Sequence, residues 1–282
     1  MEEKMEVIDN LLEVILPFEF IDYEFMKNAL LAIILVTPIF AILGTMIVNN
    51  KMAFFSDALG HSALTGIAVG VVCGIPDTNL SMVIFGIVFA LLLNWIKSKS
   101  TASTDTIISV FSSCCIAIGL AILSRGGNFS KYSSLLVGDI LSITKRELVY
   151  LLLIFLATIV FWILCYNRLQ AISLHRTLAK SKHIRIRLIE NLFSVFIALM
   201  VMLSIKWVGI LIINALLILP AASSRNISEN LREYHFFSIL YSVFSGIVGL
   251  FISYYTNVAT GPMIVIIASV IFFATYFYGR NR

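Results

Sequence analysis

The sequence predicts an all-α integral membrane protein, and three observations carry that expectation. Of 282 residues, 60% are hydrophobic and only 13% charged, about half the charged share of an ordinary soluble domain (roughly 25%). Uncharged apolar runs long enough to cross a bilayer recur along the whole chain. The positive charges between those runs fall mostly on alternate connections. No polar stretch is long enough to form a separate unit, so residues 1–282 read as one transmembrane domain.

A spanning helix needs about 20 mostly apolar residues. Candidate spans are Asn28 to Asn50, Phe54 to Gly74, Thr78 to Ile96, Thr106 to Ser124, Leu148 to Asn167 and Arg187 to Ile205. A shorter one runs from Trp207 to Ser224, where Lys206 and Pro220 suggest a broken or re-entrant segment. His235 to Gly279 is too long for one helix, and Thr256-Asn257 with Gly261-Pro262 mark a turn that divides it. The expectation is therefore eight or nine spans.

Lys and Arg concentrate on the cytoplasmic side of membrane proteins. With the N-terminus outside and the C-terminus cytoplasmic, thirteen fall inside and seven outside. The acidic segment 1–26 is then extracytoplasmic, and it lacks the positive start of a secretory signal peptide. The most basic connection, 169–190, is cytoplasmic, with a short helix expected around Ser173 to Lys180. Outside, Leu135-Leu136-Val137-Gly138-Asp139-Ile140-Leu141 is apolar enough to dip back toward the membrane. The net charge of +4 is mild and does not suggest nucleic acid. Cys73, Cys114, Cys115 and Cys165 lie in apolar runs without a CxxC pair, which reads as buried small side chains.

Ionisable groups inside a span cost about 2.5–3.5 kcal/mol each, so they are functional candidates. Asp57, His61 and Asp105 stand out. Asp57 and His61 are four residues apart and share a helix face. A carboxylate and an imidazole so placed suit zinc or manganese. The topology puts Asp57 and Asp105 near the same side of the membrane, as one shared site would require. Ala58, Ser62, Gly66, Gly70 and Gly74 recur every four residues beside that pair, a stripe that lets another helix approach closely. The plainer alternatives are a first-turn Asp57 serving the helix dipole, Asp105 serving a helix start beside Ser103 and Thr104, and His61 bonding another helix. His175 and His183 read as solvated loop residues, and His235 as a residue at the membrane boundary. No Walker A, HExxH or Gly-x-Ser-x-Gly sequence occurs, so neither an ATPase, a zincin protease nor a serine hydrolase is indicated.

Four segments together resemble the permease subunits of zinc/manganese/iron-type ABC importers. They are Met52 to Gly66 with Asp57 and His61; Asp105-Thr106; Gly138-Asp139-Ile140-Leu141; and Val208 to Ala222. The resemblance covers nearly the whole chain. It implies a bacterial inner-membrane permease, not an enzyme, with no permanently bound cofactor. Its partners would be cytoplasmic ATPase subunits, an extracytoplasmic metal-binding protein and a second copy of itself. Asp57, His61 and Asp105 would contact the transported metal. Ser173, Leu174, His175, Arg176, Thr177, Leu178 and Ala179 would couple to the ATPase. Thr65 stands where manganese-type members usually have Pro, which favours zinc over manganese or iron. Ser56 replaces a usual Gly, and His175-Arg176-Thr177 stands where acidic residues are common. A proton- or sodium-driven transporter using the same acids is the alternative from another class.

Overall fold

A computed structural model describes residues 23–100, 102–125 and 134–280. Helices α1 (Glu24–Asn49), α2 (Ala53–Cys73), α3 (Thr78–Lys99) and α4 (Thr104–Arg125) follow one another with short connections. A short helix α5 (Ser134–Val137) and a 3-10 turn (Ile140–Ser142) lead into α6 (Lys145–Leu174). Then come α7 (Arg176–Ser181), α8 (Ile186–Val208), α9 (Ile210–Ile227), α10 (Leu231–Thr256) and α11 (Thr260–Arg280). Among the described residues, eight helices are long and apolar enough to cross a membrane: α1, α2, α3, α4, α6, α8, α10 and α11. The ninth expected span is α9, with 18 residues. It is short because Gly209, at φ 86° and ψ 150°, ends α8 and starts α9 within a single residue.

Local sequence sets these boundaries. Asp77 caps α3 by accepting from the backbone N–H groups of Asn79 and Leu80. Thr144 and Glu147 form a reciprocal capping box at the start of α6. Asn230 caps α10, and Asn257 ends it in the left-handed conformation. These side chains replace the hydrogen-bond partners that terminal N–H groups lack.

Helix α2 is the centre of the bundle and packs on α3, α4, α8 and α9. The small-residue stripe works as expected. A Cβ on Gly70 would lie 2.2 Å from Ser81 Oγ, and one on Gly66 3.1 Å from Met82 Cα, so the stripe admits α3. Helix α1 packs against α6, α9 and α10. Across α1 and α10, Ser238 donates to the Ala41 carbonyl and Ser242 to the Thr37 carbonyl. Such hydroxyl bonds satisfy polar groups where lipid offers no partner.

The bundle has two distinct ends. The basic end carries residues 49–52, 97–100, 102–105 and 172–190, many of which line one open cavity of about 490 Å³. The opposite end gathers Val137–Leu141, Trp207-Val208 and Ala259–Gly261 around a second cavity of about 100 Å³. Two expectations shift in detail. The basic connection expected at 169–190 is only residues 175–185, because α6 runs to Leu174 and α8 starts at Ile186. Its short helix is Arg176–Ser181. The N-terminal segment expected at 1–26 lies outside the described residues as far as residue 22.

Candidate metal-path site

Asp57 and His61 face each other one turn apart on α2, with His61 Nε2 3.5 Å from Asp57 Oδ1. Every residue from Phe55 to Ala68 is buried except these two. Their side chains are 41% and 26% exposed respectively. This otherwise buried stretch of α2 thus opens to a surrounding space at one carboxylate and one imidazole.

The first-turn role considered for Asp57 does not hold. The helix begins at Ala53, and its first turn contains no acidic residue. Asp57 instead bonds another helix: Asn214 on α9 donates from Nδ2 to Asp57 Oδ1 at 2.9 Å. Ser56 Oγ in turn donates to Asn214 Oδ1 at 2.6 Å. Asn214 escaped the sequence reading because it is uncharged and sits in an apolar run. Its signal was a lone amide in the middle of a span, where an unpaired polar group is costly. The close approach of α9 is set by Gly60, where a Cβ would lie 2.9 Å from Ile210 Cγ2.

Asp105 does not join the pair. Among the described residues, no group of three or more His, Cys, Asp or Glu side chains converges to hold a metal ion. The reason is helix register. Helices α2 and α4 run side by side, fixed where the Thr65 hydroxyl donates to the Cys115 carbonyl and Gly119 lies under Thr65. Asp105 is ten residues before Cys115, whereas Asp57 is eight before Thr65. At about 1.5 Å per residue, Asp105 lies further toward the basic end. There it is exposed and lines the open cavity with Lys51, Lys97, His175 and Glu190. Nor is Asp105 needed as a cap, since Ser103 Oγ accepts from the Thr106 N–H.

The same cavity includes Ser173, Leu174 and His175 of the expected coupling segment. Leu174, His175 and Thr177 are exposed, and Ala179 is buried. At the opposite end the third and fourth sequence segments meet. Gly138 at φ 71° and Gly209 at φ 86° are packed backbone to backbone. A Cβ on Gly209 would lie 2.3 Å from the Val137 carbonyl oxygen. Nearby, Lys206 is ion-paired with Glu147, which holds the ends of α6 and α8 together.

These features define a multi-pass membrane protein with an acid–imidazole pair accessible on its central helix. Comparison with known proteins gives the family. Residues 22–279 match the model of the ABC 3 transport family. The chain belongs to that family, and it is the membrane permease of an ABC metal importer, a transport component with no catalytic activity of its own. It is 30% identical over 259 residues to the high-affinity zinc uptake system membrane protein ZnuB of Haemophilus influenzae, covering 90% of this chain and 98% of that one. It is 27% identical over 268 residues to the manganese import system permease protein ScaB of Streptococcus parasanguinis, covering 94% and 95%. Among solved structures, PsaBC from Streptococcus pneumoniae in complex with Fab matches with a TM-score of 0.80 at 28% identity, covering 92% of this chain and 95% of that one.

Proposed function

We propose that this permease carries zinc into the cytoplasm and that Asp57 and His61 hold the ion in transit. The observation that carries this reading is the pair itself, the accessible polar opening on a buried stretch of α2. A carboxylate and an imidazole 3.5 Å apart are close enough to share one ion, and these ligand types suit zinc. Thr65, where manganese-type members usually have Pro, favours zinc. Relatives named for zinc and for manganese are both similar to this chain, so manganese is the second reading, with iron a further alternative.

Asp105, nearer the basic end, takes the ion next, in the open cavity. The orientation is N-terminus outside and C-terminus in the cytoplasm, which makes the basic end cytoplasmic. The segment Ser173–Ala179 then faces the ATPase subunits and transmits their closure. An extracytoplasmic binding protein delivers the ion at the opposite end, and a second copy of the chain encloses the path. A conducted ion must be held weakly enough to leave, which suits a pair with partial solvent exposure.

The test is uptake of radioactive zinc in cells lacking their own importer, normalised to membrane protein level. Asp57→Asn and His61→Ala should each abolish uptake. Asn preserves shape but removes the charge that offsets the ion's lost hydration. Near-normal uptake in both variants would remove the pair from the path. Excess manganese competing as well as excess zinc would favour the second reading of the cargo.

A further inference from the structure

We propose that Asn214 is a third ligand for the transported ion, brought to it by inversion of its side-chain amide, with Ser56 as the residue that permits both orientations. This rests on the reading of Asp57 and His61 as ligands of the cargo.

In the present arrangement Asn214 Nδ2 donates to Asp57 Oδ1, and Ser56 Oγ donates to Asn214 Oδ1. A carboxamide keeps its shape when turned over, but its donor and acceptor ends exchange. The inverted amide would aim Oδ1 at Asp57 and Nδ2 at Ser56. Ser56 is buried, at 1% exposure, so its hydroxyl must be satisfied in either state. It has the partners to do so. One hydroxyl proton faces two acceptors, Asn214 Oδ1 at 2.6 Å and the Ala53 carbonyl at 3.0 Å. After inversion the hydroxyl donates to Ala53 and accepts from Asn214 Nδ2. Nothing polar is stranded at that end.

At the other end, two oxygens would meet. Two acceptors facing each other repel unless a cation lies between them. The ion therefore selects the inverted amide, and its absence selects the present one. The spacing allows it. Asp57 Oδ1 is 3.5 Å from His61 Nε2 and 2.9 Å from the Asn214 Nδ2 atom. Ligand atoms around one ion with bonds of about 2.1 Å are spaced about 3.0–3.4 Å. Both neighbours are thus within about 0.1 Å of ligand spacing from the same carboxylate oxygen, and the inversion requires no backbone movement. The reverse turn also assists release, because an N–H donor replaces the departing ion on Asp57. A carboxylate, an imidazole and an amide oxygen then make a three-ligand site that opens with a donor already on the acid.

The test uses the full chain in detergent, with cobalt(II) as an optical probe in place of zinc. Affinity is read by titration, and the ligand set from the visible band envelope at saturation. Asn214→Leu should weaken binding by at least about tenfold and shift the saturated envelope. A native envelope at saturation would overturn the proposal and leave Asn214 as a positioning residue for Asp57. His61→Ala is the companion: native affinity and envelope in that variant would defeat the reading of the pair itself. Should Asn214→Leu fail to fold, the native chain still decides. In protein carrying isotope-labelled asparagine, the Asn214 carboxamide C=O infrared band, assigned by its loss in Asn214→Asp, should move when zinc is added. An unmoved band would overturn the proposal.

Discussion

The contact between Gly138 and Gly209 makes a prediction about stability that can be worked from the structure. Gly209 has φ 86° and ψ 150°, a region open essentially to glycine alone. Placing alanine there costs about 1–3 kcal/mol in backbone strain. Gly138, at φ 71°, would add about 1–2 kcal/mol of the same kind if replaced. A second cost comes from the contact. A Cβ on Gly209 would lie 2.3 Å from the Val137 carbonyl, and one on Gly138 2.3 Å from Gly209 N. Carbon atoms pack at about 3.5–4.0 Å, so the two backbones must separate by about 1 Å or more. Overpacking of that kind typically costs about 1–3 kcal/mol. Gly209→Ala should therefore cost about 2–6 kcal/mol and Gly138→Ala about 2–5 kcal/mol. In the double variant the two strain costs add, but the separation is made once. Its loss should fall short of the sum by about 1–3 kcal/mol, the cost of one separation. Gly74→Ala is the control. Its φ of 70° is equally unfavourable, but nothing lies within 4 Å of its added Cβ. It should show strain alone, about 1–2 kcal/mol. The assay is unfolding of the purified chain by titration with dodecyl sulfate, followed by tryptophan fluorescence. Additivity within about 0.5 kcal/mol, or a Gly209→Ala loss no greater than that of Gly74→Ala, would refute the reasoning.

Two further outcomes concern the basic end. Single cysteines placed across 173–182 should resist impermeant thiol reagents in intact cells and react after permeabilisation; labelling in intact cells would reverse the orientation. Replacing His175-Arg176-Thr177 with three glycines should leave membrane level unchanged and reduce co-purification of the ATPase subunit; unchanged co-purification would make this segment an ordinary positive loop.

The spans were legible because hydropathy is a local property, and the lipid-facing helices obey it. The exception is instructive. Trp207 to Ser224 reads weakly because of Lys206 and Pro220, whereas the structure places the helix break at Gly209. The pair Asp57 and His61 was legible because a four-residue spacing fixes a helix face without tertiary information. Asp105 was grouped with them by counting from helix ends, which ignores how helices slide past one another. The register of α2 against α4 depends on Thr65, Cys115 and Gly119, and no local pattern announces that contact. Asn214 was hidden for a different reason. A search for charges in apolar spans passes over amides, although a carboxamide in lipid also demands partners.

Helix α9 connects these features physically. At its start, Gly209 is pressed against the Val137-Gly138 turn of the opposite end. Five residues on, Asn214 donates to Asp57. Near its last turn, Arg225 donates to Asn49 Oδ1 and Ser224 to the Tyr234 carbonyl, which ties it to α1 and α10. Between Asn214 and those anchors stands Pro220, within the helix. Proline lacks the N–H that would bond the carbonyl four residues earlier, so the helix is weakest there, and kinks concentrate at such points. A displacement of either half of α9 therefore bends it next to Asn214. Because Asn214 also bonds Asp57, the hydrogen bonding of the Asp57–His61 pair cannot be independent of the state of either end of the bundle. For the proposed path, this places one element, α9, in contact with both the opposite end and the Asp57–His61 pair.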